Sequence, residues 1–264
     1  MTIVVKVGGA VGNRVDPVLD EFPGHPEYVL VHGGSAEVDR LGAALGRPAE
    51  YFTSPSGVVS RRTDARHLEV VVLAIAGGVQ TDLVAGLQRR GVRAVGLSGV
   101  DGGLLRARRK TGARAVVDGR VVRVTDDLAG TIESVDADLL GSLRSAGAVP
   151  VIGPPAITAD GEVVNVDADR AAAAVAAALS AEALVLLTNV PGLLGRPDDP
   201  TSVVPRIPKA ELERFLPLAA GRMRKKLIAA GEAVAAGVGR AVIAPSGVER
   251  PIASALAGGG TVIG

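Results

Sequence analysis

A single lysine interrupts the first apolar run of the chain, and two glycines follow that run. Lys6 lies within the β-branched segment Ile3–Val7, and Gly8 and Gly9 come directly after it. A lysine is rarely buried without a partner, and backbone without a Cβ lets N–H groups come close to a ligand. The stretch therefore predicts either an anion site at the carboxyl end of a buried strand or an edge strand whose lysine reaches solvent.

A second apolar run has the same order of residues. Tyr28–Val31 is typical of a strand and leads into His32-Gly33-Gly34-Ser35. The apolar runs at 93–97 and 149–152 also lead into loops that contain glycine. Because the carboxyl ends of neighbouring parallel strands meet at one edge of a sheet, these loops are expected to line a common ligand crevice.

Strand-like and helical patterns alternate along the whole chain. This alternation predicts an α/β fold, a three-layer αβα sandwich around a mainly parallel sheet, in one domain over residues 1–264. A long helical pattern runs from about residue 65 to 90, and Gly77 and Gly78 are expected to interrupt it. Asp118-Gly119, between two β-rich runs, predicts a β-hairpin insertion near 104–124.

Composition excludes several classes of protein. The chain is 47% hydrophobic but only 2% aromatic, so its core must be built from Ala, Val, Leu and Ile, and its net charge of +1 argues against general nucleic-acid binding. The absence of Cys excludes disulfides and cysteine nucleophiles, and three scattered His argue against a zinc site. With no signal-peptide pattern, and with an Ala-rich run at 171–179 too short to span a bilayer, we expect a cytoplasmic protein without membrane partners.

The common phosphate-binding signatures are missing, since the chain has no Gly-Lys dipeptide and no Gly-x-Gly-x-x-Gly after a strand. Four other motifs are present in order: Val-Lys-Val-Gly-Gly at 5–9, His-Gly-Gly-Ser at 32–35, Asn-Val-Asp-Ala-Asp at 165–169 and Gly-Arg-Met-Arg-Lys-Lys at 221–226. Together they cover nearly the whole chain, and they resemble the amino acid kinase family in its acetylglutamate kinase branch.

Within that branch the chain is more similar to the LysW-aminoadipate and LysW-glutamate kinases, which act on a substrate bound to a carrier protein. Ser35 stands where an acetylglutamate kinase would typically have a third glycine, and segments 60–64, 96–102 and 108–111 also fit the carrier-dependent enzymes. The resemblance implies transfer of a phosphoryl group from ATP to the side-chain carboxylate of carrier-bound L-2-aminoadipate or L-glutamate. Mg²⁺ would sit on phosphate oxygens and waters, with no protein ligand predicted.

The resemblance also assigns roles to individual residues. Lys6 and Lys226 would reach the migrating phosphoryl group from opposite sides, and Asp169 would hold their ammonium groups. The N–H groups of Gly9 and Gly34 would donate hydrogen bonds to that group. The half at 1–155 would bind the acyl acceptor through Gly33, Gly34, Ser35 and Arg61. Asn165, from the start of the other half, would hold the α-carboxylate together with Arg61. The half at 156–264 would bind the nucleotide through Thr188, Asn189, Val190, Gly192, Leu193 and Met223.

Each of these residues has a structural alternative. Gly8-Gly9 could form a tight turn, and Asp169 could serve only as a helix N-cap. Lys226 lies in an Arg-Lys-Lys cluster that is typical of a solvated helix face. Asn165 could be a turn residue, and His32 favours a structural role at a strand end over a catalytic one.

A local excess of cations distinguishes the predicted hairpin insertion, where Asp118 is the only acid between Leu104 and Val124. Such a surface suits docking of the small acidic carrier protein that the resembled enzymes use, although a basic hairpin can also be plain solvated surface. The cations are Arg106, Arg108, Arg109, Lys110, Arg114, Arg120 and Arg123. The chain begins within two residues of its first strand and so would lack the N-terminal helix of arginine-inhibited hexameric relatives, which leads us to expect a homodimer.

Two other functions remain open at this point. The first is an acetylglutamate kinase that acts on the free small molecule, against which Ser35 and the basic hairpin argue. The second is a non-catalytic regulatory domain on the same fold, which the presence of Lys6, Lys226, Asp169 and Arg61 disfavours.

Overall fold

The computed structural model describes residues 1–53, 55, 59–117 and 120–264. Its strands follow the β-rich runs of the sequence. They are β1 Ile3–Val7, β2 Tyr28–His32, β3 Tyr51–Thr53, β4 Val59–Arg61, β5 Ala94–Ser98, β6 Leu105–Arg109, β7 Ala113–Val117, β8 Arg120–Val124, β9 Gly130–Val135, β10 Val149–Gly153, β11 Ala156–Ile157, β12 Val163–Val164, β13 Ala183–Thr188, β14 Arg206–Ile207, β15 Arg240–Pro245 and β16 Thr261–Ile263.

The helices connect these strands and cover the main sheet. They are α1 Asp16–Leu19, α2 Ser35–Ala44, α3 Ala65–Val72, α4 Gln80–Gln88, α5 Ala137–Ser145, α6 Ala168–Ala178, α7 Leu212–Phe215, α8 Gly221–Ala235 and α9 Pro251–Leu256. A π-helical segment, Leu73–Val79, joins α3 to α4, and short 3₁₀ turns occur at Asp101–Gly103, Lys209–Glu211 and Leu216–Leu218.

The main sheet has eight strands in the order β14-β16-β15-β13-β1-β2-β10-β5, and β15–β16 is its antiparallel pair. β1 lies at the centre, where it pairs in parallel with β13 on one side and β2 on the other. All five of its residues are buried, as its β-branched run predicts. A smaller sheet has the order β12-β11-β6-β9.

Helices pack on both faces of the main sheet. One face meets α1, α4 and α9 in a core that includes Val5 and Val7. The other meets α5, α6, α8 and the smaller sheet in a core that includes Val4. Since side chains alternate along a strand, Lys6 lies on the face of Val4, toward α6. The predicted three-layer α/β sandwich around a mainly parallel sheet is confirmed.

The helical segment Ala65–Gln88 corrects one sequence prediction. Gly77 and Gly78 do not break the helix, because the backbone continues through them with wider π-helical turns. By length and composition alone this segment could cross a membrane, and 44% of its most apolar window is buried inside the protein. Ala74 and Ile75 form part of a third core with residues of α2 and α3.

The predicted hairpin is present with narrower bounds. β7 and β8 pair in antiparallel fashion, while the predicted turn at Asp118-Gly119 lies outside the described residues. The first part of the expected insertion is not in this hairpin, because β6 pairs instead with β9 and β11 in the smaller sheet. Arg106, Arg108 and Arg109 therefore belong to that sheet, and Lys110 follows its strand.

Candidate active site

Two buried lysines from opposite ends of the chain meet at one carboxylate. The Nζ of Lys6, on β1, lies 2.7 Å from Oδ1 of Asp169. The Nζ of Lys226, on α8, donates to both carboxylate oxygens of Asp169 at 2.9 and 3.0 Å. All three side chains are buried, with Lys6 only 4% exposed and Asp169 and Lys226 each 7%. Two ammonium groups thus share one negative charge in a site largely closed to water.

Asp169 is available for this contact because a neighbouring residue caps its helix. The N-cap of α6 is Asp167, whose carboxylate accepts hydrogen bonds from the N–H groups of Asp169 and Arg170. Asp169 lies in the first turn, where the helix dipole favours a negative charge. Asp167 therefore caps the helix, and Asp169 contacts the lysines. The sequence alone did not show which acid has which role.

The charges in this cluster shift the pKa values of its members. Burial by itself raises the pKa of Asp169, but the charges of Lys6 and Lys226 outweigh it and lower that pKa to about 2. Burial, together with the charge of Lys6, lowers the pKa of Lys226 below its usual value, and Asp169 partly offsets this shift. The carboxylate is ionised at neutral pH, and this single carboxylate contacts both lysine side chains.

The glycine loops after β1 and β2 pack against each other with no room for side chains. A Cβ added to Gly9 would lie 2.3 Å from the backbone nitrogen of Gly34, and one added to Gly34 would lie 2.9 Å from Ile75. The carbonyl of Gly9 accepts a hydrogen bond from the N–H of Ala36 at 2.8 Å. Within the described residues, the N–H groups of Gly9 and Gly34 donate to no protein acceptor, so both remain available to an anion.

His32 supports these loops from the other face of the sheet. It is 1% exposed, and its Nε2 lies 3.3 Å from the side-chain amide of Gln80, on α4. Burial lowers the pKa of His32 to about 4, so the ring is neutral at physiological pH. The position agrees with the structural role that the sequence favoured for this residue.

A cavity of about 480 Å³ lies on the His32 side of the loops, lined by Val7, Gly9, Gly34 and residues of α2 and α4. Because Val7 and Lys6 point to opposite faces of β1, the loops separate this cavity from the lysine pair.

Arg61, at the end of β4, is already engaged with protein groups. Its Nη2 donates to Oδ1 of Asp39 at 2.6 Å and to the hydroxyl of Tyr51 at 3.2 Å. The guanidinium carbon lies 5.6 Å from the centre of the Tyr51 ring, within the range of a cation–π contact. The side chain is 15% exposed, and these contacts fix its position.

Asn165 lies just after β12 and does not contact Arg61 directly. Its Nδ2 lies 3.3 Å from the hydroxyl oxygen of Thr63, two residues after Arg61. Its backbone N–H donates to the carbonyl of Leu128 at 2.8 Å, and its own carbonyl accepts from Gly130 at 2.7 Å. The two predicted carboxylate-binding residues are therefore connected through Thr63 and the segment at 128–130.

The residues predicted for the nucleotide follow β13 or begin α8. Thr188 is buried at the end of β13, and the side chain of Asn189 donates to the carbonyl of Val11 at 3.1 Å, which links the loops after β13 and β1. The N–H of Leu193 donates to the hydroxyl of Thr261 at 2.9 Å. Val190 and Gly192 lie in the same loop, and Met223 lies in the first turn of α8, where it packs on the core below.

Four residues beside the predicted acceptor-binding groups were missed. Asp39 and Tyr51 hold Arg61, and Thr63 and Asp127 hold the segment that carries it. Thr63 follows Arg61 closely and could have been noted from its position. No local pattern connects Asp127 to Thr63, because the two are 64 residues apart.

Comparison with known proteins gives a consistent family assignment. The model of the amino acid kinase family matches residues 1–245. A LysW-aminoadipate kinase of Deinococcus radiodurans is 46% identical over 99% of this chain and 91% of its own length. An acetylglutamate kinase of Methanopyrus kandleri is 41% identical over 91% of this chain and 93% of its own length.

Solved structures agree at the level of the fold. Carbamate kinase from Giardia lamblia bound to AMP-PNP superposes with a TM-score of 0.65 at 17% identity, covering 99% of this chain and 98% of that one. The family match covers nearly the whole chain, and the four motifs and the fold agree with it. The chain belongs to the amino acid kinase family.

Proposed function

We propose that this protein is an ATP-dependent kinase that phosphorylates the side-chain carboxylate of carrier-bound L-2-aminoadipate, or of carrier-bound L-glutamate, to an acyl phosphate. The observation that carries the proposal is the meeting of Lys6 and Lys226 at Asp169. A buried positive charge without a counter-charge is costly. The cluster is therefore suited to an anion that brings the missing negative charge, and a migrating phosphoryl group is such an anion.

The lysines and glycines would supply what phosphoryl transfer requires from a protein. The transition state needs alignment and positive charge over its equatorial oxygens, with little covalent help. Lys6 and Lys226 would provide that charge from two sides, and Asp169 would keep their ammonium groups oriented. The N–H groups of Gly9 and Gly34 would donate hydrogen bonds from a backbone that close packing holds rigid.

The acyl acceptor would bind at the half of the chain that carries the second glycine loop. Gly33 and Gly34 come directly before α2, and Ser35 is its first residue, while Arg61 and Asn165 would hold the α-carboxylate. Asp39 orients the guanidinium of Arg61 through Nη2, and Nε2 of His67 lies 3.4 Å from its Nη1, so a carboxylate would bind to a guanidinium that is already held in place.

The nucleotide would bind at the other half of the chain, along the loop after β13 and the start of α8. The hydrogen bond from Asn189 to Val11 joins the loops after β13 and β1, and α8 carries Lys226. The Mg²⁺ that accompanies ATP would be held by phosphate oxygens and water rather than by a protein carboxylate. These halves correspond to residues 156–264 for ATP and 1–155 for the acceptor.

The carrier would dock on the β7–β8 hairpin rather than on the first cations of the predicted basic surface. Arg108 pairs with Glu133, and Arg109 binds Glu162 and two backbone carbonyls, so Arg109 serves the packing of the smaller sheet. On the hairpin, Arg114 and Arg123 lie directly opposite each other. Two like charges in register destabilise a hairpin, and an acidic partner that lies across them would relieve this repulsion.

An exposed leucine on the segment Ala65–Gln88 supports a homodimer as part of this proposal. Less than half of its most apolar window is buried, and Leu73 is 55% exposed. Light scattering should give twice the mass of the chain for the wild-type protein and the mass of a single chain for Leu73→Lys. The enzyme would work in the cytoplasm, where ATP is available.

A direct assay tests the function. Purified protein is incubated with ATP and Mg²⁺ and with each of three acceptors, and ADP release is measured with a coupled system. The acceptors are carrier-linked aminoadipate, carrier-linked glutamate and free acetylglutamate. The proposal expects turnover with a carrier-linked acceptor.

Turnover with acetylglutamate alone would favour the acetylglutamate kinase function, which the similarity to the Methanopyrus kandleri enzyme supports. No ADP release with any acceptor would favour a non-catalytic regulatory domain.

A further inference from the structure

We infer that Thr63 and Asp127 form a brace that sets the spacing between Arg61 and Asn165, and that they thereby act as positioning residues for the α-carboxylate of the acyl acceptor. This inference rests on the proposed function, which gives Arg61 and Asn165 their ligand. Neither brace residue needs to touch the substrate. The brace is a set of buried hydrogen bonds between segments that are distant in sequence.

The first part of the brace fixes the segment that carries Arg61. Thr63 is 1% exposed and Asp127 is 5% exposed. The carboxylate of Asp127 accepts a hydrogen bond from the backbone N–H of Thr63 at 3.0 Å. A charged acceptor strengthens such a bond, and an unpaired buried N–H is costly, so this contact is expected to hold the backbone after Arg61 in one place.

The second part of the brace connects Thr63 to Asn165 through one residue. The N–H of Leu128 donates to the carbonyl of Thr63 at 2.7 Å, and the carbonyl of Leu128 accepts from the N–H of Asn165 at 2.8 Å. The Thr63 hydroxyl also lies 3.3 Å from Nδ2 of Asn165. Thr63 therefore contacts both the anchor at Asp127 and the amide side chain that would bind the substrate.

The surrounding ion pairs keep the anchor itself in place. Arg62 forms ion pairs with Glu50 and Asp126, and Arg109 donates to the backbone carbonyl of Asp127 at 3.0 Å. A carboxylate ligand needs the guanidinium and the amide at a fixed separation, and small displacements of positioning groups reduce transition-state binding. Loosening the brace is therefore expected to weaken binding of the acyl acceptor and to leave nucleotide binding unchanged.

The test compares disruptive with conservative variants at both positions. Thr63→Val and Asp127→Ala remove the hydroxyl and the carboxylate, and each should raise KM for the carrier-linked acceptor roughly tenfold, the value of one ordinary hydrogen bond. KM for ATP should stay within about twofold of wild type, given that a single hydrogen bond is lost at a separate site. Thr63→Ser and Asp127→Asn keep an acceptor oxygen at each place and should restore most of the affinity.

Thr2→Val is the matched control. Thr2 is also buried, and its hydroxyl accepts a hydrogen bond from Arg144 at 2.9 Å. It lies at the amino end of β1, whereas the glycine loop follows the carboxyl end of that strand. This variant should lose stability without a change in either KM.

Amide hydrogen exchange gives a readout that needs no substrate. The N–H groups of Thr63, Leu128 and Asn165 should exchange faster in Asp127→Ala than in wild type, while those of β13 should keep their rate. An unchanged exchange rate at all three amides would overturn the brace, and so would equal effects on KM for ATP and for the acceptor. If wild-type protein turns over no acceptor, the proposed function fails, and the exchange data still decide whether the brace exists.

Discussion

The Nζ of Lys6 lies 2.7 Å from Oδ1 of Asp169, an oxygen that also accepts a hydrogen bond from Lys226. This contact places the amino-terminal strand and the last long helix at one buried point. It requires the central position of β1, the alternation that turns Lys6 toward α6, and the use of Asp167 rather than Asp169 as the helix cap. The cluster is thus expected to attract an anionic ligand.

Removing either ammonium group should slow catalysis strongly. Lys6→Met and Lys226→Met keep the length of the side chain and lose the charge, so each should lower kcat by about 10²- to 10³-fold, as for a single oxyanion donor. Steady-state ADP release at saturating acceptor measures this effect. Lys225→Met is the control, because the same residue type is removed one position earlier on α8 and little change in kcat is expected. Equal effects at Lys225 and Lys226 would contradict the assignment.

Asp169 should contribute to stability in a defined pH range. Its pKa is lowered from 3.8 to about 2, so on acidification the unfolded chain binds the proton first. The contribution is fully present above about pH 4 and is lost as the pH falls toward 2, with a size of about 2 kcal/mol. Denaturant unfolding of wild type and Asp169→Asn at several pH values measures it. The difference in unfolding free energy between the two proteins should shrink across this range, and a constant difference would rule the effect out.

Gly9 should not tolerate a side chain. A Cβ at this position would lie 2.3 Å from the backbone nitrogen of Gly34, which no side-chain rotation can relieve. We expect Gly9→Ala to lower the free energy of unfolding by about 1–3 kcal/mol and to reduce kcat, since the loop must move. Gly141→Ala is the control, because nothing lies within 4 Å of its added Cβ, in the middle of α5. That variant should be neutral or more stable by up to about 1 kcal/mol. Equal losses in both variants would contradict the packing argument.

The hairpin should matter for the carrier and not for ATP. Reversing Arg114 and Arg123 to Glu should raise KM for the carrier-linked acceptor by roughly tenfold at low salt, and less at high salt because the charges are exposed. KM values for both substrates, measured at two ionic strengths, test this expectation.

The control for the hairpin variant is the double variant Arg89→Glu and Arg206→Glu. It makes the same change in net charge at exposed positions, one directly after α4 and one on β14. If this control raises KM as much as the hairpin variant does, or if the hairpin variant leaves KM unchanged, the hairpin is not the docking surface.

Local sequence patterns identified most of the fold. The strand at Ile3–Val7 and the helix at Ala168–Ala178 could be predicted because their periodicity and capping residues are encoded in neighbouring positions. The interruption at Gly77-Gly78 was predicted wrongly, since a π-helical segment accommodates both residues without ending the helix. β6 was placed in the hairpin because its distant partner β9 leaves no mark in its own segment.

The sequence by itself determined the fold class, the glycine loops and the identity of the charged residues that could meet an anion. Only the tertiary structure decided which of them touch. In the folded chain Asp167 caps α6 and Asp169 contacts the lysines. Arg61 pairs with Asp39, and Thr63 donates a hydrogen bond to Asp127. The physical reason is that propensity and periodicity act between neighbours along the chain, whereas these contacts depend on how whole elements pack across the sheet.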